Sequence, residues 1–516
     1  MLVAAAFYAR FGYAYGAGDH DEMIPQLLRM LDPSLFPEDW YLQGEAGRVT
    51  VRTGFLGLLR ALAVPFGAEG GAFALWAVVL LGVAAGVYAL ALRITARPAA
   101  AALAALAATV VTPQWTLGGN ALVTPAIVPE PLAWALALPA LALFMDGHRW
   151  LAAALLGVAG LFQLLVGTLM VGALGLVWLW EIGADAERRA GWGREFGRAI
   201  GFGLLYLAVA SPVFLPTALA QAGGAPAPDD GLSTFYVIAQ LRQPHHYLFW
   251  QFGERALAQF GLLVVLGAIA FFRAPRSLRH RTFVGRLLVV ITGLCGVALV
   301  GTEGLENLFI AKLQFYKLTV PAAVLLTTLI SAVLVGWLGR SWSDRIARAL
   351  ASPWGWAVGA AAVVVVTAAG RAGWHNGPAQ HRASDLYAVE AWAARETPAD
   401  ALFLIPPSET TFRTFARRSV AINWKPTPFR DAAMHERLAR LRAVAPSAAL
   451  PRFGTGWQDT LDAAYHRNTP ADWQRLAHDW GADYALVEAD LVLAPPADSA
   501  AFRAGRWAVY RLPEGE

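Results

Sequence analysis

Successive apolar stretches, each long enough or nearly long enough to cross hydrocarbon, fill residues 71–371 and leave the chain few folds to choose from. They lie near 71–92, 98–117, 128–145, 197–220, 256–272, 283–302, 314–338 and 354–371. A crossing helix takes about 20 such residues, because its backbone N–H and C=O groups must bond to one another where there is no water. Trp150–Trp180 is too long for one ordinary crossing. It reads as two short helices meeting near Gln163, with Gly160 and Gly167 easing the turn. The run Met1–Tyr15 is short and interrupted by Arg10. It reads as the outer half of a first helix, or as a signal segment without a small-residue cleavage site after it. The sum is an α-helical polytopic membrane protein of about eleven transmembrane helices.

Only 15% of the residues are charged and 57% are hydrophobic, against about 25% charged in a soluble domain. The deficit ends at residue 372. Residues 372–516 form a second, ordinary-looking soluble domain after the transmembrane domain 1–371. The formal net charge of +4 is accounted for by basic loops at a membrane face, which excludes a nucleic-acid partner as its explanation. A single cysteine, Cys295, rules out an internal disulfide and a cysteine-rich metal site, and reads as a small apolar residue.

Lysine and arginine in short loops set the orientation. Arg93 with Arg97, Arg149, Arg188–Arg198, Arg273–Arg286 and Arg340–Arg348 belong in the cytoplasm by the positive-inside rule. Loops 112–127, 221–254 and 302–313, and the tail from Arg371, then face outward. Residues 50–67 are apolar but interrupted by Arg52 and Arg60. They read as a half-inserted or surface helix, leaving 16–70 as one long first outer loop. The 20 tryptophans cluster at run ends, as at Trp150, Trp178, Trp337 and Trp354, where an amphipathic ring is most stable. The Ala-rich stretch 99–108 reads as a closely packed membrane helix. Few lysines beside much alanine and arginine suggest a GC-rich bacterial source, hence the bacterial cytoplasmic membrane.

The tail reads as a small extracytoplasmic α/β domain. Helices are expected at Asp385–Arg395, Asp431–Arg442 and Asp472–Trp480, and strands at Ala401–Ile405, Ser419–Asn423, Tyr484–Val487 and Trp507–Leu512. Pro, Ala and Gly in 445–456 mark a loop. No glycine-rich phosphate loop is present, which argues against a nucleotide site. Glu409, Arg413, Arg417, Arg418 and Lys425 make a charged face next to Pro406-Pro407 that reads as solvated, or as a surface that contacts the acceptor or the loop-one helix.

The densest polar cluster is Gly18-Asp19-His20-Asp21-Glu22, in the first outer loop. Carboxylates at a membrane boundary can take a proton from an acceptor hydroxyl, or hold a divalent cation, with Asp19, Asp21 and His245 as the conceivable ligands. The same acids also suit a helix N-terminus, Asp19 or Asp21 capping and Glu22 favouring the dipole. Elsewhere, Arg242-Gln243-Pro244-His245-His246 in loop 221–254 could bind phosphate, or could be interfacial. Lys312 and Lys317 stand at an outer helix end, against the positive-inside trend, which favours anion binding over snorkelling to lipid phosphate. Glu130 near a membrane helix start is costly unless it faces a cavity.

Asp21-Glu22, then Arg29-Met30-Leu31 on a helix, then Asp39-Trp40 resembles the first outer loop of the GT-C glycosyltransferases, notably aminoarabinose transferases and protein O-mannosyltransferases. The acid that follows the arginine in those proteins is missing here. Pro129-Glu130-Pro131-Leu132 is similar to the acid-bearing start of a later helix in that family, and the overall architecture is similar too. The resemblance implies a membrane glycosyltransferase with a polyprenyl-phosphate-linked sugar as donor and an acceptor it leaves unspecified. It implies a loop-one general base, by position Asp21 with Asp19 the rival and Glu22 beside them. Substrate binding then falls to Arg29, Glu130, Arg242, His245, His246, Lys312 and Lys317. A lipid-linked sugar transporter or flippase is the alternative, though charges within the spans are scarce and no inverted repeat is visible. A non-catalytic assembly protein of the same architecture is the other.

Overall fold

A computed structural model describes residues 1–222, 230–274, 278–339, 341, 344–345, 348–349, 352–369 and 377–513. Parts of the loops around 225 and 276, of the basic cluster Arg340–Arg348, and the junction from Arg371 lie outside the described residues.

Among the described residues six helices are long and apolar enough to cross a membrane: Thr53–Thr95, Leu164–Ala184, Trp192–Gln221, Glu254–Arg273, Arg281–Gly304 and Leu308–Leu338. Leu2–Phe11, Pro98–Val111, Pro129–Met145 and Arg149–Phe162 are apolar but shorter. Pro353–Ala369 forms a further apolar helix, beside Leu2–Phe11. About eleven transmembrane helices were expected from run lengths; among the described residues six helices reach full crossing length. Several apolar runs fold as helices shorter than a full crossing.

Trp150–Trp180 is split into one shorter and one full-length helix. Arg149–Phe162 and Leu164–Ala184 break at Gln163, whose extended backbone ends one helix and begins the next. The two pack so tightly that a side chain on Gly167 would meet the backbone of Leu156 and Gly160. Residues 50–67, expected as a half-inserted or surface helix, form a helix of their own from Thr53 that ends at a kink. The helix from Thr53 turns at Gly67 (φ 73°) and continues as the long span to Thr95, with Gly71 against the backbone of Ala63. Pro65 and Gly67 cause the break, one lacking a donor and the other tolerating positive φ.

The basic loops converge at one end of the bundle. Glu181 is approached by Arg149 at 3.8 Å, Arg188 at 2.7 Å and Arg286 at 3.8 Å, and Arg93 pairs with Asp146 at 2.7 Å. Arg97 lies near Gly336. At the other end the same helices start or finish around Arg52, Glu130, Gln163 and Lys317. The tail is docked on that end.

The tail holds a five-stranded sheet of order β2-β1-β3-β5-β4, made of β1 Leu402–Leu404, β2 Ser419–Val420, β3 Tyr484–Glu488, β4 Phe502–Ala504 and β5 Trp507–Arg511. β1 pairs in parallel with β2 and β3, and the β3-β5-β4 part is antiparallel. Helix Asp385–Glu396 covers one face through Val389 and Ala393. Asp431–Val444, Trp457–Tyr465 and Pro470–Trp480 build the other, around Trp473, Tyr465 and Leu441. Phe412–Ala416, Trp457–Tyr465 and β4 were not legible as elements. The first and last are three to five residues long, too short to show a period.

Candidate functional site

Two glycines start the site. Gly16 and Gly18 have φ of 85° and 62°, a turn that throws the chain into helix His20–Leu31. His20, fully buried, locks the turn: Nδ1 accepts from the Gly16 amide at 3.0 Å and Nε2 donates to the Ile127 carbonyl at 2.9 Å. Burial holds this imidazole below its ordinary pKa, so it stays neutral.

The turn sends the two aspartates in opposite directions. Asp21 is 1% exposed and faces the tail, not open space. Arg413 Nη1 donates to both its oxygens at 3.3 Å, and Asn423 Nδ2 donates to Oδ2 at 2.6 Å. Burial, only partly opposed by Arg413, pushes the Asp21 carboxyl up to about 6. Arg413 Nε also donates to Asp39 at 2.6 Å, and Asp39 takes the Val420 and Leu42 amides as well. Arg413, expected on a solvated face, is thus 1% exposed and ties the tail to the first loop. Asp21, expected as the base, is enclosed by Arg413 and Asn423 and does not line the cavity described below.

Asp19 faces the other way. It makes no capping bond to helix His20–Leu31. Its carboxylate pairs with Lys425 of the tail and is 56% exposed, to a cavity of about 260 Å³. Burial alone would raise this carboxyl, but Lys425 outweighs it and the net direction is down.

Most of the expected site residues line this cavity with Asp19: Glu22, Glu130, Arg242, His245, His246 and Lys317. Four further polar side chains, Arg52, Gln163, Gln243 and Gln314, join them. Lys317, 5% exposed, donates to Glu130 at 2.5 Å and Asn120 at 3.0 Å. Glu130 also accepts from Trp134 Nε1 at 3.2 Å. Glu22 pairs with Arg52 and lies 3.8 Å from Arg242. Arg242 donates to the Lys425 carbonyl at 2.5 Å, while its Nε is buried without a partner. The histidine rings stack at 4.2 Å, and His246 Nδ1 donates to the Gly118 carbonyl at 2.6 Å. Gly118 and Gly119, at φ 71° and 63°, let the backbone lie against these rings. Burial first, then neighbouring cations, pushes His245 down to about 4 and His246 to about 3. Both are neutral near pH 7 and offer hydrogen bonds, not charge. Arg52, Arg242, Lys317 and Lys425 against Asp19, Glu22 and Glu130 leave one positive charge in excess, a setting that favours an anion.

Two expected residues lie elsewhere. Lys312 braces the tail, donating to Asp431 at 2.6 and 2.8 Å and to Gln221 at 2.6 Å. Arg29 donates to Gln43 at 2.9 Å and lines a separate cleft with Glu45 and Thr50. Helix His20–Leu31 places it two turns beyond Glu22, out of reach of the cavity. Asp19, Asp21 and His245 are not assembled as metal ligands, because Asp21 is enclosed by Arg413 and Asn423. Among the described residues no three His, Cys, Asp or Glu side chains come together to hold a metal.

Lys425 is the residue that sequence reasoning undervalued. A signal was present: of the 41 basic residues only Lys312, Lys317 and Lys425 are lysines, and two of the three line the cavity.

The fold is a bundle of long and half-length apolar helices, capped at one end by a small α/β domain over a polar cavity. Two solved structures share it. ArnT from Cupriavidus metallidurans in the apo state is 14% identical, with 99% of this chain and 96% of that chain covered at a TM-score of 0.53. ArnT from the same organism bound to undecaprenyl phosphate is 15% identical, with the same coverage and a TM-score of 0.50. Residues 384–444 match a family model described as a domain of unknown function (DUF6798). No curated protein sequence matches the chain.

Proposed function

We propose that the protein is a membrane glycosyltransferase that moves a sugar from a polyprenyl-phosphate donor to a hydroxyl-bearing acceptor, with Asp19 as the general base. The observation that carries this reading is the single cavity in which a first-loop carboxylate faces Arg242, Lys317 and Lys425. In one step, Asp19 takes the acceptor's hydroxyl proton and the acceptor oxygen bonds to the sugar's anomeric carbon. The bond from that carbon to the donor phosphate oxygen breaks, and polyprenyl phosphate leaves with the electron pair. Its negative charge is met by Arg242 and Lys317, preplaced where charge develops. The neutral histidines orient oxygens by hydrogen bonds.

The ArnT fold, and the undecaprenyl phosphate bound to ArnT, support a lipid-phosphate donor. The convergence of basic loops at the opposite end supports a cavity on the extracytoplasmic face of a bacterial cytoplasmic membrane. The test is transfer from a panel of polyprenyl-phosphate sugars by the protein in nanodiscs, read as release of free polyprenyl phosphate. Asp19→Asn is expected to lower turnover by about 10²–10⁴-fold. Its melting temperature should hardly move, because an exposed ion pair contributes at most about 1 kcal/mol. Full turnover in that variant would remove Asp19 from the mechanism.

A further inference from the structure

Lys425 sits in a segment held with unusual firmness for a surface loop. Arg242, from the membrane part, donates to the Lys425 carbonyl at 2.5 Å. Arg437 donates to the Pro426 carbonyl at 2.8 Å and also to the Trp424 carbonyl. Both guanidiniums lie over the Trp424 ring, at 5.2 and 4.7 Å. Arg242 is 5% and Arg437 2% exposed, and the hydrogen bonds described for both go to carbonyl oxygens. Arg242 also has Glu22 at 3.8 Å, whereas the described bonds of Arg437 go to carbonyls alone, a costly burial for a guanidinium. Just upstream, Asn423 is bound to Asp21 at 2.6 Å and to the Glu409 carbonyl at 2.7 Å.

The side chain is the opposite of its backbone. It is 29% exposed, carried on four methylenes, and its Asp19 partner is 56% exposed. A pair this open is weak and exchanges readily. Arg242, Lys317 and Lys425 all line the same cavity, so an anion placed there would meet three cations.

We propose a function for the segment 384–444: it is a phosphate-binding arm that carries Lys425 into the membrane cavity, where the lysine is a counter-ion that the substrate displaces. At rest Lys425 neutralises Asp19. When a lipid phosphate enters, the ammonium swings from the carboxylate to the phosphate, which frees the Asp19 oxygens to face the acceptor. The tail is therefore part of the active centre. The inference rests on the glycosyltransferase reading, and names a substrate-binding residue for it.

The experiment uses the full-length protein in phosphatidylcholine nanodiscs and undecaprenyl phosphate as the probe. Lys425→Gln is expected to weaken binding about 10-fold, the loss of one charge-assisted bond. Lys425→Arg should recover most of it, and Arg475→Gln, a remote charge change on the tail, should bind as wild type does. A second measurement needs no variant. The chain has three lysines, so site-resolved acetylation of the wild type reports each one. Undecaprenyl phosphate should suppress labelling of Lys425 and leave Lys312 unchanged. Wild-type binding that persists undiminished in Lys425→Gln, or Lys425 labelling indifferent to the lipid, overturns this inference and leaves the transferase reading standing. A wild type that does not bind undecaprenyl phosphate at all overturns both.

Discussion

Replacing Arg413 by Met removes the one cation that satisfies two buried carboxylates. Asp21 and Asp39 are 1% and 0% exposed, and the guanidinium reaches both, as well as Asn423 at 2.7 Å. Methionine matches much of the volume, so the loss is electrostatic, not a cavity. Breaking a buried ion pair from one side costs about 3–5 kcal/mol, because the remaining charge stays buried without compensation. That is a fifth or more of the roughly 5–15 kcal/mol that holds a typical protein together. At roughly 3 °C per kcal/mol for a unit of this size, the melting temperature should fall by about 10–15 °C. Intrinsic fluorescence during heating is a suitable assay, since Trp424, Trp457, Trp473 and Trp507 are buried in the tail. Adding Asp21→Asn and Asp39→Asn to the same chain removes the stranded charges and should recover more than half of the loss, a strongly non-additive result. A single Arg413→Met variant melting within about 2 °C of wild type would refute the reasoning. It would mean that water or another cation reaches these carboxylates.

Two further outcomes follow from the same geometry. Asp21, pushed up to about 6, binds its proton more tightly in the folded protein than in the unfolded chain. Its contribution to stability is fully present below about pH 4 and is lost as pH rises through 6. Melting temperature measured from pH 4 to 7 should therefore lose part of its downward slope in Asp21→Asn. An unchanged slope would place the titration elsewhere. Gly16→Ala puts a Cβ 2.5 Å from the Phe415 ring at a φ of 85°. A left-handed backbone costs roughly 1–2 kcal/mol and overpacking roughly 1–3 kcal/mol, so the variant should melt several degrees lower. It should also lose turnover, because Asp19 is carried by the same turn; wild-type stability would show that Phe415 moves aside freely.

What could be read from the chain alone was whatever rests on local periodicity and composition. Apolar run length announces a membrane bundle, because lipid admits no unpaired backbone. The break at Gln163 was visible because a run of that length cannot stay one helix. The basic clusters were visible as a set, and in the fold Arg149, Arg188 and Arg286 meet around one acid, Glu181. The cluster Asp19–Glu22, the pair His245-His246, Glu130 and Lys317 were recognisable as polar groups in places where polarity is expensive.

Which aspartate faces the cavity was decided only in three dimensions. Asp19 and Asp21 are two residues apart and chemically the same, and a turn at Gly16 and Gly18 sends one to Lys425 and the other to Arg413. Those partners lie some 400 residues away, as Asp21 and Asn423 do (402 apart), and no local pattern carries that information. The same holds for Lys312, Arg29 and Lys425. A lysine at a helix end reads alike whether it lines a cavity or braces a domain, and only the docking of the tail against the first loop separates the two. That docking depends on long-range burial of charge, a property of the assembled surfaces and of no single segment.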